Sequence, residues 1–108
     1  MLVLFDQGAP VPIRTFLKGH TVKTAASQGW SRLNNGDLLK TAEDAGFEVL
    51  LTTDKNLAYH QNLKTRKIAI VVLGNSQWPV VRLYVNKIVS AVNASKPGSY
   101  TEVDIPHR

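Results

Sequence analysis

The sequence predicts an α/β fold, a three-layer α/β/α arrangement around a mainly parallel sheet of about four or five strands. Two observations carry this. Short apolar, β-branched runs alternate with helical patterns along the chain, the order that builds parallel sheets. The runs are also apolar throughout rather than every second residue, as expected of strands covered on both faces. At 108 residues the chain reads as a single domain spanning 1–108, large enough for one core without covalent staples.

The elements follow in order. Leu2 to Phe5 is a buried strand, and Asp6-Gln7-Gly8 is the turn out of it. Pro10 and Pro12 restrict the backbone, and Pro12 suits a first helical turn. Ile13, Phe16 and Leu17 have the spacing of a short helix face, which Gly19 ends. His20 to Thr24 is a shorter strand, and Ala25 to Leu33 is read as a short helix followed by a loop. Asn34-Asn35-Gly36-Asp37 opens a helix: an Asn side chain caps the first amides and Asp37 complements the helix dipole. Leu38, Leu39, Ala42 and Ala45 are its apolar face, and Gly46 is its stop.

Phe47 to Thr53 is the third strand, Leu57 to Leu63 a short helical segment, and Ile68 to Leu73 a fourth buried strand. Ser76 is placed to cap the next helix, with Pro79 in the first turn and Val81, Val85, Ile88 and Val92 on the apolar face. Lys96-Pro97-Gly98 breaks the helix, and Tyr100 to Ile105 is an edge-type final strand.

The 44% hydrophobic and 19% charged composition is that of a soluble globular protein. There are no cysteines, which excludes disulfides and thiolate chemistry. No run approaches the ~20 apolar residues of a membrane span, and the apolar start lacks a basic leader. The expected location is the cytoplasm, with no membrane partner. The net charge of +5 favours a polyanionic partner such as RNA or DNA, although the cations are scattered and only Lys64-Thr65-Arg66-Lys67 clusters.

Chemistry concentrates where apolar strands turn polar. In an open parallel sheet, ligands bind just outside the carboxyl ends of the strands. Asp6 ends the first strand, Asp54 ends the third, and Asp37 opens the helix that feeds the third. Converging carboxylates stay ionised beside one another only with a cation between them. A divalent ion such as Mg²⁺ takes one or two carboxylates and keeps several waters. Those waters can attack phosphorus while the ion neutralises the developing charge, so the implied chemistry is metal-assisted phosphodiester hydrolysis. The plainer readings stand beside this one: Asp37 as a first-turn acid, and Asp54-Lys55-Asn56 as a turn former.

Asp6-Gln7-Gly8, Asn35-Gly36-Asp37 and Leu50-Leu51-Thr52-Thr53-Asp54-Lys55-Asn56-Leu57 together resemble the PIN-like superfamily, most closely its small bacterial branch. Gln61-Asn62-Leu63, the Arg66 to Leu73 run and Trp78-Pro79 extend the likeness to about Val92. The resemblance implies a Mg²⁺- or Mn²⁺-dependent ribonuclease, in many bacterial members the toxin of a toxin–antitoxin pair. It implies Asp6, Asp37 and Asp54 as metal ligands and catalytic acids. Thr53, Lys55, Asn56, Lys64, Arg66 and Lys67 are the expected substrate-binding residues. The expected partners are RNA, an antitoxin protein and a second copy of the chain.

Asn56 stands where many members carry a further acid, and Gln7 and Gly8 follow the first aspartate. This argues against a two-metal site and keeps a non-catalytic PIN-like module, binding RNA or protein, as the alternative. A phosphoryl-receiver domain fits less well. Its first strand usually ends in paired acids and its Lys follows a fifth strand, whereas here Asp6 stands alone and Lys55 adjoins Asp54. Glu43 lies six residues after Asp37, off its helical face, and is left out of the catalytic set.

Overall fold

The structure, a computed structural model, describes residues 1–57 and 66–106. Five strands, β1 (Leu2–Phe5), β2 (Thr21–Thr24), β3 (Val49–Thr52), β4 (Ala69–Leu73) and β5 (Tyr100–Val103), form one sheet in the order β2-β1-β3-β4-β5. Every neighbouring pair is parallel. The chain steps from β1 outward to β2, then returns past β1 to β3. Its direction along the sheet reverses between β1 and β3, which makes their carboxyl ends the topological switch point.

The period of two in each strand divides the core into two clusters. Val3, Phe5, Leu51, Val71 and Leu73 face one side, where they meet Ile13 and Leu17 from the turns after β1 and Val81, Ile88 and Val92 from the segment after β4. Leu4, Leu50, Ile70 and Val72 face the other, where they meet Leu38, Leu39 and Ala42 of helix α1 (Asn35–Asp44). The sheet therefore carries helical cover on both faces, as its unbroken apolar strands require.

The connections differ in hand. The β1→β2 and β4→β5 steps move in opposite directions along the sheet, yet both cross on the face of Ile13 and Ile88. They therefore have opposite hands, and one of them departs from the usual right-handed crossover. The β2→β3 step crosses on the α1 face and shares the hand of β1→β2.

Helix α1 is built as its sequence suggests. The Asn34 side chain accepts from the Asp37 amide at 2.8 Å, and Gly46 takes a φ of +90° just past the end. Such a φ is strained for any residue with a Cβ.

Elsewhere three expectations change. Val11–Phe16 is a 3₁₀ helix rather than an α-helix. A segment this short, opened by two prolines that donate no hydrogen bond, closes in tighter i→i+3 turns. Ala25 to Leu33 forms turns without a helix. The segment after β4 is not one helix but α2 (Trp78–Val81), a 3₁₀ turn at Arg82–Tyr84 and α3 (Val85–Asn93). Tyr84, at φ −118° and ψ 14°, leaves helical geometry and rotates the apolar stripe. Val81, Ile88 and Val92 stay buried, while Val85 is only half-buried.

Ser76 does not cap this segment. The buried Asn75 does the work, accepting from the Gln77 amide at 2.8 Å and donating to the Pro106 carbonyl at 2.8 Å. The expected short helix at Leu57 to Leu63 falls mostly outside the described residues, as does Lys64.

Candidate functional site

The register sets the site. Phe5 pairs with Leu51, and the Asp6 amide continues that ladder by donating to the Leu51 carbonyl at 2.9 Å. Asp6 thus stands beside Thr52, and Asp54 lies two residues further along the same chain. Both aspartates are at the carboxyl edge, on adjacent strands, at the switch point.

Thr52 joins them. It is 1% exposed, so its hydroxyl must be satisfied within the protein. It donates to Asp6 Oδ2 at 2.9 Å and accepts from the Asp54 amide at 3.1 Å. The other Asp6 oxygen, Oδ1, accepts from the Gln7 amide at 2.8 Å. Asp54 Oδ1 accepts from the Asn56 amide at 2.9 Å, an Asx turn that fixes the loop leaving β3. Gly8 allows the loop after β1 to close on this loop: a Cβ there would lie 2.1 Å from Thr53 Oγ1. The two loops thus form one packed unit around Asp6, Thr52, Thr53 and Asp54.

Asp37 begins at the same edge, because α1 carries the chain from the end of β2 back to the start of β3. The Gln7 side chain reaches the Ser31 carbonyl at 3.5 Å, a weak link between the loop after β1 and the approach to α1. Asp37 itself is exposed in the first turn. Among the described residues, no group of three or more His, Cys, Asp or Glu side chains converges as a metal site. The structure therefore links Asp6 and Asp54 through Thr52 and leaves Asp37 outside that link.

The basic residues separate. Lys55 and Asn56 follow Asp54 and are exposed at the carboxyl edge. Arg66 and Lys67 precede β4 and so lie at the amino edge, about a strand length away. There Arg66 Nη1 meets Glu43 Oε1 at 2.7 Å. Glu43 Oε2 also accepts from the amides of Lys67 and Ile68. The expectation that Arg66 and Lys67 flank Asp54 in a common phosphate-binding patch is corrected by this placement.

Glu43 does point away from the aspartates, as its spacing suggested. Burial pushes its carboxyl up. The Arg66 hydrogen bond, the two amides and the Arg66 charge together outweigh that and hold it below its ordinary value.

Three further residues at the carboxyl edge were not singled out from the sequence as site residues. Thr52 ends the apolar run of β3 with a hydroxyl, the signal available in the sequence. Glu102 and Asp104 end β5 and line a cavity of about 190 Å³ with Lys55, Val72, Gly74 and Val103. Nothing local marks those two acids; only the strand order brings them near Lys55.

The donors offered at the switch point are carboxylate, hydroxyl and amide oxygens. This hard set suits Mg²⁺ or Mn²⁺ rather than a soft ion, and two carboxylates lie within the ordinary practice of Mg²⁺ sites. Comparison of the chain with protein-family models, with curated proteins and with solved structures found no match. Among the described residues, no helix is long and apolar enough to cross a membrane.

Proposed function

We propose that the switch-point crevice binds one Mg²⁺ or Mn²⁺ ion through Asp6 and Asp54, and that the protein is a metal-dependent ribonuclease. The observation that carries this reading is the Thr52 hydroxyl, which donates to the Asp6 carboxylate and accepts from the Asp54 backbone amide at adjacent strand ends, where ligands bind in such sheets. A bound ion would supply a nucleophilic water and stabilise charge developing on the phosphoryl oxygens. The Thr52 hydroxyl and Gln7 amide orient Asp6, so its carboxylate is pre-set rather than mobile. Thr53, Lys55 and Asn56, on the loop that carries Asp54, offer donors for a phosphate, while Asp37 stands at the start of α1 on the same edge. Through the PIN-like resemblance, the reading extends to a cytoplasmic toxin partnered by an antitoxin protein.

A second reading is a non-catalytic module of the same fold, binding RNA or a protein. It is favoured by the absence of a three-acid group among the described residues.

Cleavage of a mixed RNA pool with Mn²⁺ separates the two. Wild type should cleave, and chelation should stop it. Asp54→Asn keeps size and hydrogen bonding but removes charge, so cleavage should fall at least about 100-fold while the fold persists. Equal residual cleavage by wild type and mutant would leave the binding module as the better reading.

A further inference from the structure

We propose that the cavity at the carboxyl ends of β4 and β5 is a base subsite selective for guanine. The proposal rests on the RNA reading of the neighbouring crevice. The cavity holds about 190 Å³ and is lined by Lys55, Val72, Gly74, Glu102, Val103 and Asp104. That is below the ~300 Å³ at which drug-sized pockets begin, so it suits one planar base rather than a larger ligand.

Its position follows from the register. Thr52 pairs with Val72, and Val72 pairs with Glu102. Asp6, Thr52, Val72 and Glu102 therefore form one row across four strands. At a spacing of about 4.8 Å per strand, Glu102 lies roughly 10 Å from Thr52. Lys55 follows Asp54 directly and also lines the cavity, joining it to the crevice. A nucleotide whose phosphate sits at the crevice can extend its base across Val72.

The charges at the cavity are arranged for a ligand rather than for each other. Glu102 Oε1 accepts from the Tyr100 hydroxyl at 3.0 Å, which orients that carboxylate and leaves Oε2 available. Among the described residues, neither Asp104 nor Lys55 has a hydrogen bond or an ion pair from its side chain, although both line one cavity with Glu102.

Ionised carboxylates only accept, and a lysine ammonium only donates. The complementary base edge must present two adjacent donors next to an acceptor. Guanine does so, with N1–H and N2–H₂ for a carboxylate and O6 for the ammonium. Adenine and cytosine each turn a ring-nitrogen lone pair toward the carboxylate. Uracil offers one N–H between two carbonyls. A site built to hydrogen-bond one edge discriminates strongly against those that leave its polar groups unpaired.

The test titrates the isotope-labelled full chain, without metal, with the 5′-monophosphates of guanosine, adenosine, cytidine and uridine. The four share their phosphate, so a difference reports the base. Guanosine monophosphate should bind at least about tenfold more tightly than the others, with the largest amide shifts at Val72, Gly74 and Val103. Glu102→Gln and Asp104→Asn should each erase most of that preference. Both residues are exposed, and an unchanged spectrum of the free variants confirms their fold. Equal affinity for all four nucleotides overturns the proposal, as does a guanine preference that survives both substitutions. Guanine selectivity without RNA cleavage supports the subsite and removes the nuclease reading. Metal-dependent cleavage with no base preference does the reverse.

Discussion

The two edges of the sheet handle their charges in opposite ways. At the amino edge, Glu43 is matched to Arg66 and to the amides that lead into β4. Beside it, Glu48 accepts from the Leu2 amide at 3.1 Å, and His20 Nε2 lies 2.6 Å from Asn93 Oδ1. These contacts hold strand entries to helix ends and to one another. At the carboxyl edge, the Asp6 carboxylate meets, among the described residues, a hydroxyl and an amide, while Asp37, Lys55, Glu102 and Asp104 are exposed. Neutral donors orient a carboxylate without cancelling its charge. At the amino edge Glu43 thus has a counter-ion in Arg66, whereas the carboxyl edge keeps a field for something to bind. Residues of the same type have different work because a parallel sheet separates strand starts from strand ends.

The largest expected effect tests the closed edge. Glu43→Ala removes one acceptor of the Arg66 guanidinium and the acceptor of the Lys67 and Ile68 amides, and should cost about 2 kcal/mol, read from a urea midpoint. The side chains of Arg66 and Glu43 are 23% and 15% exposed, so the cost should lie below that of a fully buried ion pair. The pH dependence has a definite sign. Because the folded Glu43 carboxyl is held below its ordinary value of 4.5, its contribution is complete above that pH. It is lost as pH falls through the lowered folded value. Glu43→Gln should therefore flatten the acid side of the stability curve below pH 4.5. An unchanged acid slope would mean that the edge is not closed by this charge.

The open edge is sharpened by metal. Manganese at ten times its dissociation constant should stabilise the wild type by about 1.4 kcal/mol through binding to the folded state, which raises Tm by several degrees. Asp54→Asn should lose this shift, with its metal-free Tm unchanged or higher from relieved repulsion. Glu43→Gln should retain the shift, since its carboxylate is at the other edge. A melting curve that millimolar Mn²⁺ leaves in place in the wild type would argue for the binding-module reading.

How much of this contrast could be read from the chain depends on the range of the forces involved. Leu2 to Phe5, Phe47 to Thr53 and Ile68 to Leu73 were legible as strands because local apolar runs mark burial, and each strand falls within the expected run. Asn34, Asp37 and Gly46 were legible because capping is a local hydrogen-bond and φ requirement. Asp6 and Asp54 were legible because each ends an apolar run. The 3₁₀ turns at Val11–Phe16 and the break at Tyr84 were not, since apolar spacing does not distinguish tight turns from an α-helix. Asn75 displaced Ser76 because its side chain reaches both the Gln77 amide and the distant Pro106 carbonyl. The separation of Lys55 from Arg66 and Lys67 is not legible, because nearness in sequence does not fix nearness in space and no local feature specifies the strand order.

That separation supplies the smallest and most selective prediction. Lys55 and Lys67 are both exposed lysines, so replacing either with alanine removes the same charge and should alter stability by no more than about 0.5 kcal/mol. Net charge is therefore matched between the variants, and so is the general attraction to a polyanion. Only position differs: Lys55 follows Asp54 and lines the carboxyl-edge cavity, while Lys67 enters β4 beside Glu43. If single-stranded RNA is held at the carboxyl edge, Lys55→Ala should lower the slope of log affinity against log salt by about 0.7, the loss of one counterion-releasing contact. Lys67→Ala should leave that slope unchanged. Equal losses from the two variants would mean that RNA responds to the overall charge, and the contrast between a closed and an open edge would not extend to nucleic-acid binding.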